Sequence, residues 1–336
     1  MPIPELPASP PVFDADGWHV ELGVALGIRA AVYVGDESDI VQADIATTEG
    51  VGIAPLGLGV VASRGPFFGE LRIEEGTVHA GGVEAAGARL GVRDSAGIAS
   101  FSAGRSDVEF TSDRTTEPED RLFSIRPMLS TALLPLHATG GFGTLAWPDR
   151  VELRTAVVFT SITSDAPWMI ARADVYPLGE LPLRAGAGTP GIRFDLGGGV
   201  AYQNSPSLGE TLGWTADATL AAGPVYLSAG WISGVDSAVR SDGYAELAGR
   251  LFPEKAISPL AALRGERATG FGEEDERWLV GGRIQADIRR WHVAPWIEFH
   301  HSEETGTGDV PDDVVVLQAS AERDNDVLFV GALARW

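Results

Sequence analysis

The chain of 336 residues has no cysteine, a single lysine and no apolar run long enough to cross a bilayer as a helix. Without cysteine there are no disulfide staples and no thiol nucleophile. The absence also suits a compartment in which a stray thiol would oxidise. A membrane helix needs about 20 consecutive apolar residues. The longest uncharged apolar stretch, near 51–63, is interrupted by Pro55, Gly57 and Gly59. Lys255 is the only lysine, so almost every basic side chain is an arginine. The formal net charge of −22 argues strongly against a partner bound by neutralising phosphates, and with it nucleic acid.

Catalytic signatures are missing too. His300-His301 is an isolated pair at the end of an extended run and is expected at the surface rather than on a metal. The glycine-rich "GTPGIRFDLGGG" (188–199) is not a phosphate loop, because no helical pattern follows it. Serine, histidine and aspartate are too scattered to nominate a triad. No enzymatic activity, metal or cofactor is expected.

What the sequence does have is alternation. In "WHVELGVALGIRAAVYV" (18–34) one set of alternate residues is Trp18, Val20, Leu22, Val24, Leu26, Ile28, Ala30, Val32 and Val34. The other set holds His19, Glu21, Arg29 and Tyr33 among glycines and alanines. A period of two makes this a strand with one greasy face and one polar face. Seventeen residues is long, since soluble strands average about 5–6 residues while a tilted membrane strand needs about 9–11. The pattern returns at 150–159, 192–203, 277–289 and 291–300, and more weakly at 83–93, 169–176, 211–221, 225–234, 243–252, 257–268, 313–321 and 326–336. About seventeen such runs are present, that at 69–75 being the weakest.

Short turns ("WPDR", "AGP", "PEKAIS", "RRW") alternate with longer loops at 35–49, 235–242, 268–276 and 303–313. That is the habit of outer-membrane barrels, whose outer face meets hydrocarbon and whose closed backbone leaves no free edge. The expected fold is all-β: a transmembrane antiparallel β-barrel of sixteen strands, with eighteen the next even number. Residues 1–12 form a proline-rich tail, 13–336 a single barrel, and 105–138 an inward-folded constriction loop. The chain reads as the mature form of a bacterial outer-membrane protein, its signal peptide absent. It ends "VLFVGALARW", with Leu328, Val330, Ala332, Ala334 and Trp336 on one face. This looks like the aromatic-terminated delivery signal of such proteins. One conflict stands: if Trp336 is periplasmic, the tight turn "RDND" (323–326) faces outside and the long 303–313 loop faces in. Trp18, Trp147, Trp168, Trp278, Trp291 and Trp336 stand at strand ends, where interfacial girdles would place them.

Several stretches resemble the phosphate-selective (O and P type) porin family. "DGWHVELGVALGIRAAVYV" is similar to that family's opening strand, and "FSAGRSDVEFTS" (101–112) to the strand that leads into its long internal loop. "RLFSIRPML" (121–129), "ARADVYPLG" (171–179), "YAELAGRLFP" and "ALRGER" resemble later segments. The terminal hairpin departs from the pattern. The resemblance implies a sixteen-stranded trimeric porin with arginines lining an anion path.

The polar faces supply the candidate pore. Arg29, Arg89, Arg93, Arg154, Arg172, Arg193, Arg250, Arg264, Arg283 and Arg289 share them with Glu21, Glu152, Asp174, Asp195, Asp217, Glu246, Glu266, Asp287 and Glu298. The wall is therefore expected to be close to neutral, either as a selective field or as cross-strand ion pairs. Arg105, Arg114, Arg121 and Arg126 belong to the constriction segment. The expected function is passive diffusion of small polar or anionic solutes through an arginine-containing pore. The alternative is a non-conducting barrel that anchors or scaffolds a partner protein. Expected partners are membrane lipid, lipopolysaccharide (bridged to the acidic loops through divalent cations), small hydrophilic solutes and two further copies of the chain.

Overall fold

A computed structural model describes residues 12–33, 50–75, 83–111, 122–123, 134, 137–147, 150–159, 166–179, 189–206, 209–235, 241–253, 255–269, 276–305 and 323–335. Among them lie seventeen strands and one 3-10 turn, Arg289–Trp291. The strands are β1 Val12–Ala15, β2 Trp18–Tyr33, β3 Gly50–Arg64, β4 Phe67–Glu75, β5 Val83–Arg93 and β6 Ala99–Asp107. They continue as β7 His137–Trp147, β8 Val151–Phe159, β9 Trp168–Val175, β10 Thr189–Ser205, β11 Gly209–Gly223 and β12 Val225–Val235. The last are β13 Ser241–Arg250, β14 Ile257–Thr269, β15 Glu276–Ile288, β16 Val293–Thr305 and β17 Arg323–Arg335.

All pairings are antiparallel. From β2 onward each strand pairs with its successor, including β9 with β10. β17 returns to β2 through Val327↔Tyr33 to Arg335↔Ala25. Sixteen strands thus form a continuous ring of pairings. β1 is the seventeenth. It folds back on the start of β2 (Val12↔Glu21 to Ala15↔Trp18), along the edge that β17 occupies further up, because β3 covers the other edge over 19–31. The turn between them is Asp16-Gly17, both with positive φ (52° and 80°). That is the turn an Asp-Gly pair favours in a two-residue hairpin.

The strand count and the loop-length conflict resolve together. Arg323–Asp326 is no turn: it opens β17, and His301–Glu304 face it across the ladder. The connection from β16 to β17 is therefore 306–322, on the rim away from Arg335. The run at 313–321 lies outside the described residues. With this correction the rim that carries the start of β2 and the end of β17 has the connections 65–66, 94–98, 148–150, 224, 251–256 and 289–292. The opposite rim has 34–49, 76–82, 108–136, 160–167, 206–208, 236–240, 270–275 and 306–322. The longest connections are on this rim, although 206–208, 236–240 and 270–275 are short and the link 176–188 on the other rim is long.

Period-two alternation sorts the faces as in a barrel within lipid. Leu196, Val200, Leu263, Val280, Ile284 and Ile297 are exposed, whereas Asp195, Arg264, Arg283 and Glu298 between them are buried. A water-soluble sheet would reverse this arrangement. Leu263, 62% exposed on β14, gives a direct test. Leu263→Arg should cost about 2–4 kcal/mol in bilayers, the penalty for a lipid-facing cation near the midplane. Urea refolding into liposomes measures it; a change under about 0.5 kcal/mol would mean that this face meets water.

Candidate functional site

The interior begins with the chain segment that follows β6. Val108, Phe110, Leu122, Phe123 and Leu134 belong to the 108–136 connection and are all buried. Val108, Phe110 and Leu134 pack with Ala138, Val158, Trp168, Ile170, Ala201, Ile232 and Tyr244. Phe123 sits with Leu122, Ala248, Leu260 and Ala262. The Arg264 guanidinium carbon lies 4.3 Å above its ring and His300 meets it edge-on at 5.8 Å. The described parts of this segment therefore lie against the inner faces of β8–β14 rather than outside the ring.

Trp168 and His300 depart from the sequence expectations. Trp168 is not at an interface: it is 7% exposed and faces inward within the Phe110 cluster. Its neighbours Ile170 and Met169 are apolar on both faces, so alternation does not choose a side there. His300, expected at the surface, is fully buried, and its Nε2 is 2.6 Å from Glu298 Oε1. Trp18, Trp147 and Trp291 stand exposed at the short-turn rim, and Trp278, with Trp214 and Trp231, toward the other. Trp336 lies outside the described residues, as do Arg114, Arg121 and Arg126. Arg29 is described only as a backbone position on β2.

Two groups of charges face inward. The first spans β8 to β11. Ladder register puts Arg154 opposite Arg172 and Glu152 opposite Asp174, and places Gly197 between Asp174 and Asp217. Like charges side by side destabilise a sheet; here diagonal contacts offset them. The Arg172 guanidinium is bidentate on Asp217 (Nη1–Oδ2 2.7 Å, Nη2–Oδ1 2.8 Å). It also donates to Asp174 (2.5 and 3.0 Å) and to the Phe110 carbonyl at 3.1 Å. Arg154 reaches Asp174 at 3.0 Å, Glu152 at 2.5 Å and Glu109 at 2.8 Å. Gly197 makes the close approach possible. A Cβ there would stand 2.1 Å from Arg172 Nη2 and 2.4 Å from Asp217 Oδ1. Below this group, just outside β9, burial and then the Asp174 charge push the Tyr176 phenol up, so it stays protonated and adds no negative charge.

The second group spans β13 to β16. Arg264 donates to Glu246 (Nε–Oε1 2.7 Å) and lies 3.4 Å from Glu266. Arg283 donates to Glu298 at 3.1 Å and to Gln285 at 2.6 Å. Arg250 contacts Asp287, which also accepts from Gln285 at 2.6 Å. On β4 and β5, Arg89 donates to Glu70 at 2.8 Å, and Arg72 contacts Asp107.

The structure thus brings Arg154, Arg172, Glu152, Asp174 and Asp195 into one patch and Arg283 and Glu298 into another, with Asp287 on Arg250. Other expected pore residues lie elsewhere. Glu21 is exposed near the short-turn rim, 2.9 Å from His19. Arg193 caps a turn through the Leu178 carbonyl at 2.5 Å. Arg105 is half-buried on β6, opposite Ala88 and Thr139. Sequence reasoning missed Glu109, Phe110, Phe123 and Gly197. Glycines set within a charged strand face (197 and 199) were the available signal for long side chains crossing there.

No protein-family model matches the chain, and no curated protein sequence does. Solved structures do. The anion-selective porin from Comamonas acidovorans has a TM-score of 0.65 at 11% identity, over 95% of this chain and 100% of that one. The outer membrane channel DcaP of Acinetobacter baumannii has 0.61 at 11% identity, over 96% and 99%. The trimer form of OmpT, an outer membrane protein of Vibrio cholerae, has 0.61 at 13% identity, over 96% and 100%. Fold and faces together define the class, a bacterial outer-membrane β-barrel. Within that class it is a ring of sixteen paired strands, with the described residues of the 108–136 connection inside it.

Proposed function

We propose that this protein is a diffusion porin for small polar solutes, a channel and not an enzyme, with residues 105–138 as its constriction. The observation that carries the reading is a polar, charge-bearing inner face beneath a continuous apolar exterior, with Phe110, Phe123 and Leu134 seated inside. The short-turn rim would face the periplasm. Exposed tryptophans near both rims suit girdles at the membrane interfaces. Lipopolysaccharide would lie at the long-loop rim. A homotrimer is the assembly that the trimer form of OmpT favours. Membership of the phosphate-selective porins would be consistent with the sixteen strands and the inserted residues, and remains part of this proposal.

Carboxylate pairing argues against an arginine-driven anion preference. Arg72, Arg89, Arg154, Arg172, Arg250, Arg264 and Arg283 each touch a carboxylate. Around Arg154 and Arg172 acids outnumber bases, so the wall there favours cations. Planar-bilayer recording tests both levels. Stepwise conductance is expected, with a reversal potential in a KCl gradient that is small or cation-leaning. A clearly anion-selective potential would restore the arginine path. Purified, folded protein that gives no steps would replace the porin by a scaffold barrel.

A further inference from the structure

The acidic patch on the inner wall contains more than ion pairs. Asp174 on β9, Asp195 on β10 and Asp217 on β11 each present a carboxylate oxygen within 4.8 Å of the other two. All three are buried. Arg172 occupies Asp174 and Asp217, and its hydrogen bonds go to them and to the Phe110 carbonyl, not to Asp195. Asp195 is only 6% exposed, points into the cluster, and its Oδ1 has no hydrogen-bond partner. A carboxylate withdrawn from water without a donor is costly unless something positive meets it. Arg154 and Arg172 lie near enough to act on Asp195, but both are committed to other carboxylates and acids outnumber them. Two guanidiniums, Arg154 and Arg172, meet Glu109, Glu152, Asp174 and Asp217, and Asp195 adds a fifth carboxylate.

We infer that Asp174, Asp195 and Asp217 form a binding site for a divalent cation of calcium type. The spacing suits it. Ligands on a shell of about 2.3–2.6 Å radius lie at most about 4.6–5.2 Å apart, a limit that these three oxygens meet. The donor set is all oxygen, which selects a hard cation over a thiophilic or imidazole-seeking one. Asp195 is the residue without another task, so it would bind the ion directly while Asp174 and Asp217 share theirs between the ion and Arg172. Thr215 Oγ1, buried on the same face two residues before Asp217, is also without a partner. Water completes the coordination. The ion would cross-link three strands of the wall and offset the local excess of negative charge. This site lies inside the ring and is separate from the acidic loops expected to meet lipopolysaccharide.

The experiment uses the whole detergent-purified barrel, stripped with EDTA and titrated with calcium by equilibrium dialysis. The temperature at which the unboiled band changes mobility on SDS gels is followed in parallel. The wild type is expected to bind one more ion per chain at sub-millimolar calcium than Asp195→Asn, and its transition temperature to rise on calcium addition. In Asp195→Asn that tightest site should weaken at least ten-fold and the temperature rise should vanish, while the unboiled band still shows a folded barrel. Binding to acidic residues elsewhere in the chain is common to both proteins and cancels. If Asp195→Asn does not fold, Asp195→Ser replaces it, and if neither folds Thr215→Ala is the comparison, in which the same site should weaken. Equal stoichiometry and affinity in wild type and variant overturn the inference, as does a wild type whose transition temperature ignores calcium. The latter result would leave Asp195 holding a proton in place of an ion.

Discussion

Arg172→Met is expected to destabilise the barrel by about 3–5 kcal/mol, the usual result of removing one partner from a buried charge network. The substitution keeps a long apolar stem but leaves Asp174 and Asp217, both buried, without the guanidinium that bridges them. It also strips the Phe110 carbonyl of its donor, which loosens the inserted segment where it leaves β6. The midpoint of urea unfolding in lipid measures the effect. A second substitution, Asp217→Asn, should recover part of the loss, because it removes one of the charges left unpaired. A change below about 1 kcal/mol would place these residues in a solvated wall, where ion pairs contribute little. Gly197→Ala is expected to act in the same direction, since its methyl group would take the place of the Arg172 head.

Truncating Phe110 and Phe123 together to alanine should raise single-channel conductance by a factor of about two or more, since flow through a pore is set by its narrowest section. Phe123 is fully enclosed between the Arg264 guanidinium and the His300 ring, and Phe110 is packed against β8–β13. Core phenylalanines removed in this way cost about 3–5 kcal/mol each. Here that loss falls on the docking of one segment, because the strand ladders do not depend on it. The variant barrel should therefore stay folded while its current grows and becomes noisier. Unchanged conductance in a folded double variant would mean that the narrowest point lies elsewhere.

How legible all this was depends on what each residue's neighbours reveal. In β2, and over 192–203 of β10 and 277–288 of β15, one alternate set is wholly apolar or small and the other carries charge, so the assignment of faces needed no tertiary information. β9 was harder. Trp168 and Ile170 point inward beside the exposed Met169, and with apolar residues on both faces only the pairing of Trp168 with Val158 settles the side. Arg323–Asp326 has the composition of a turn and forms strand, because His301–Glu304 hold it in register. Asp16-Gly17 is a hairpin signal legible in the sequence alone. The metal-like cluster left no trace in spacing. Asp174, Asp195 and Asp217 stand on three strands, and their convergence follows from the register Asp174↔Gly197↔Asp217.

By itself the sequence determined that long strands with unlike faces would close around a polar interior. Period two is a property of the local backbone, and a lipid-facing strand must obey it along its whole length. Only the tertiary structure decided which strands count, which rim carries the long loops, which carboxylates meet which arginines, and that Phe110, Phe123 and Leu134 lie within the ring. Those outcomes depend on pairing and packing between segments far apart in the chain, where each partner's position is set by the closed ladder and not by its own neighbours.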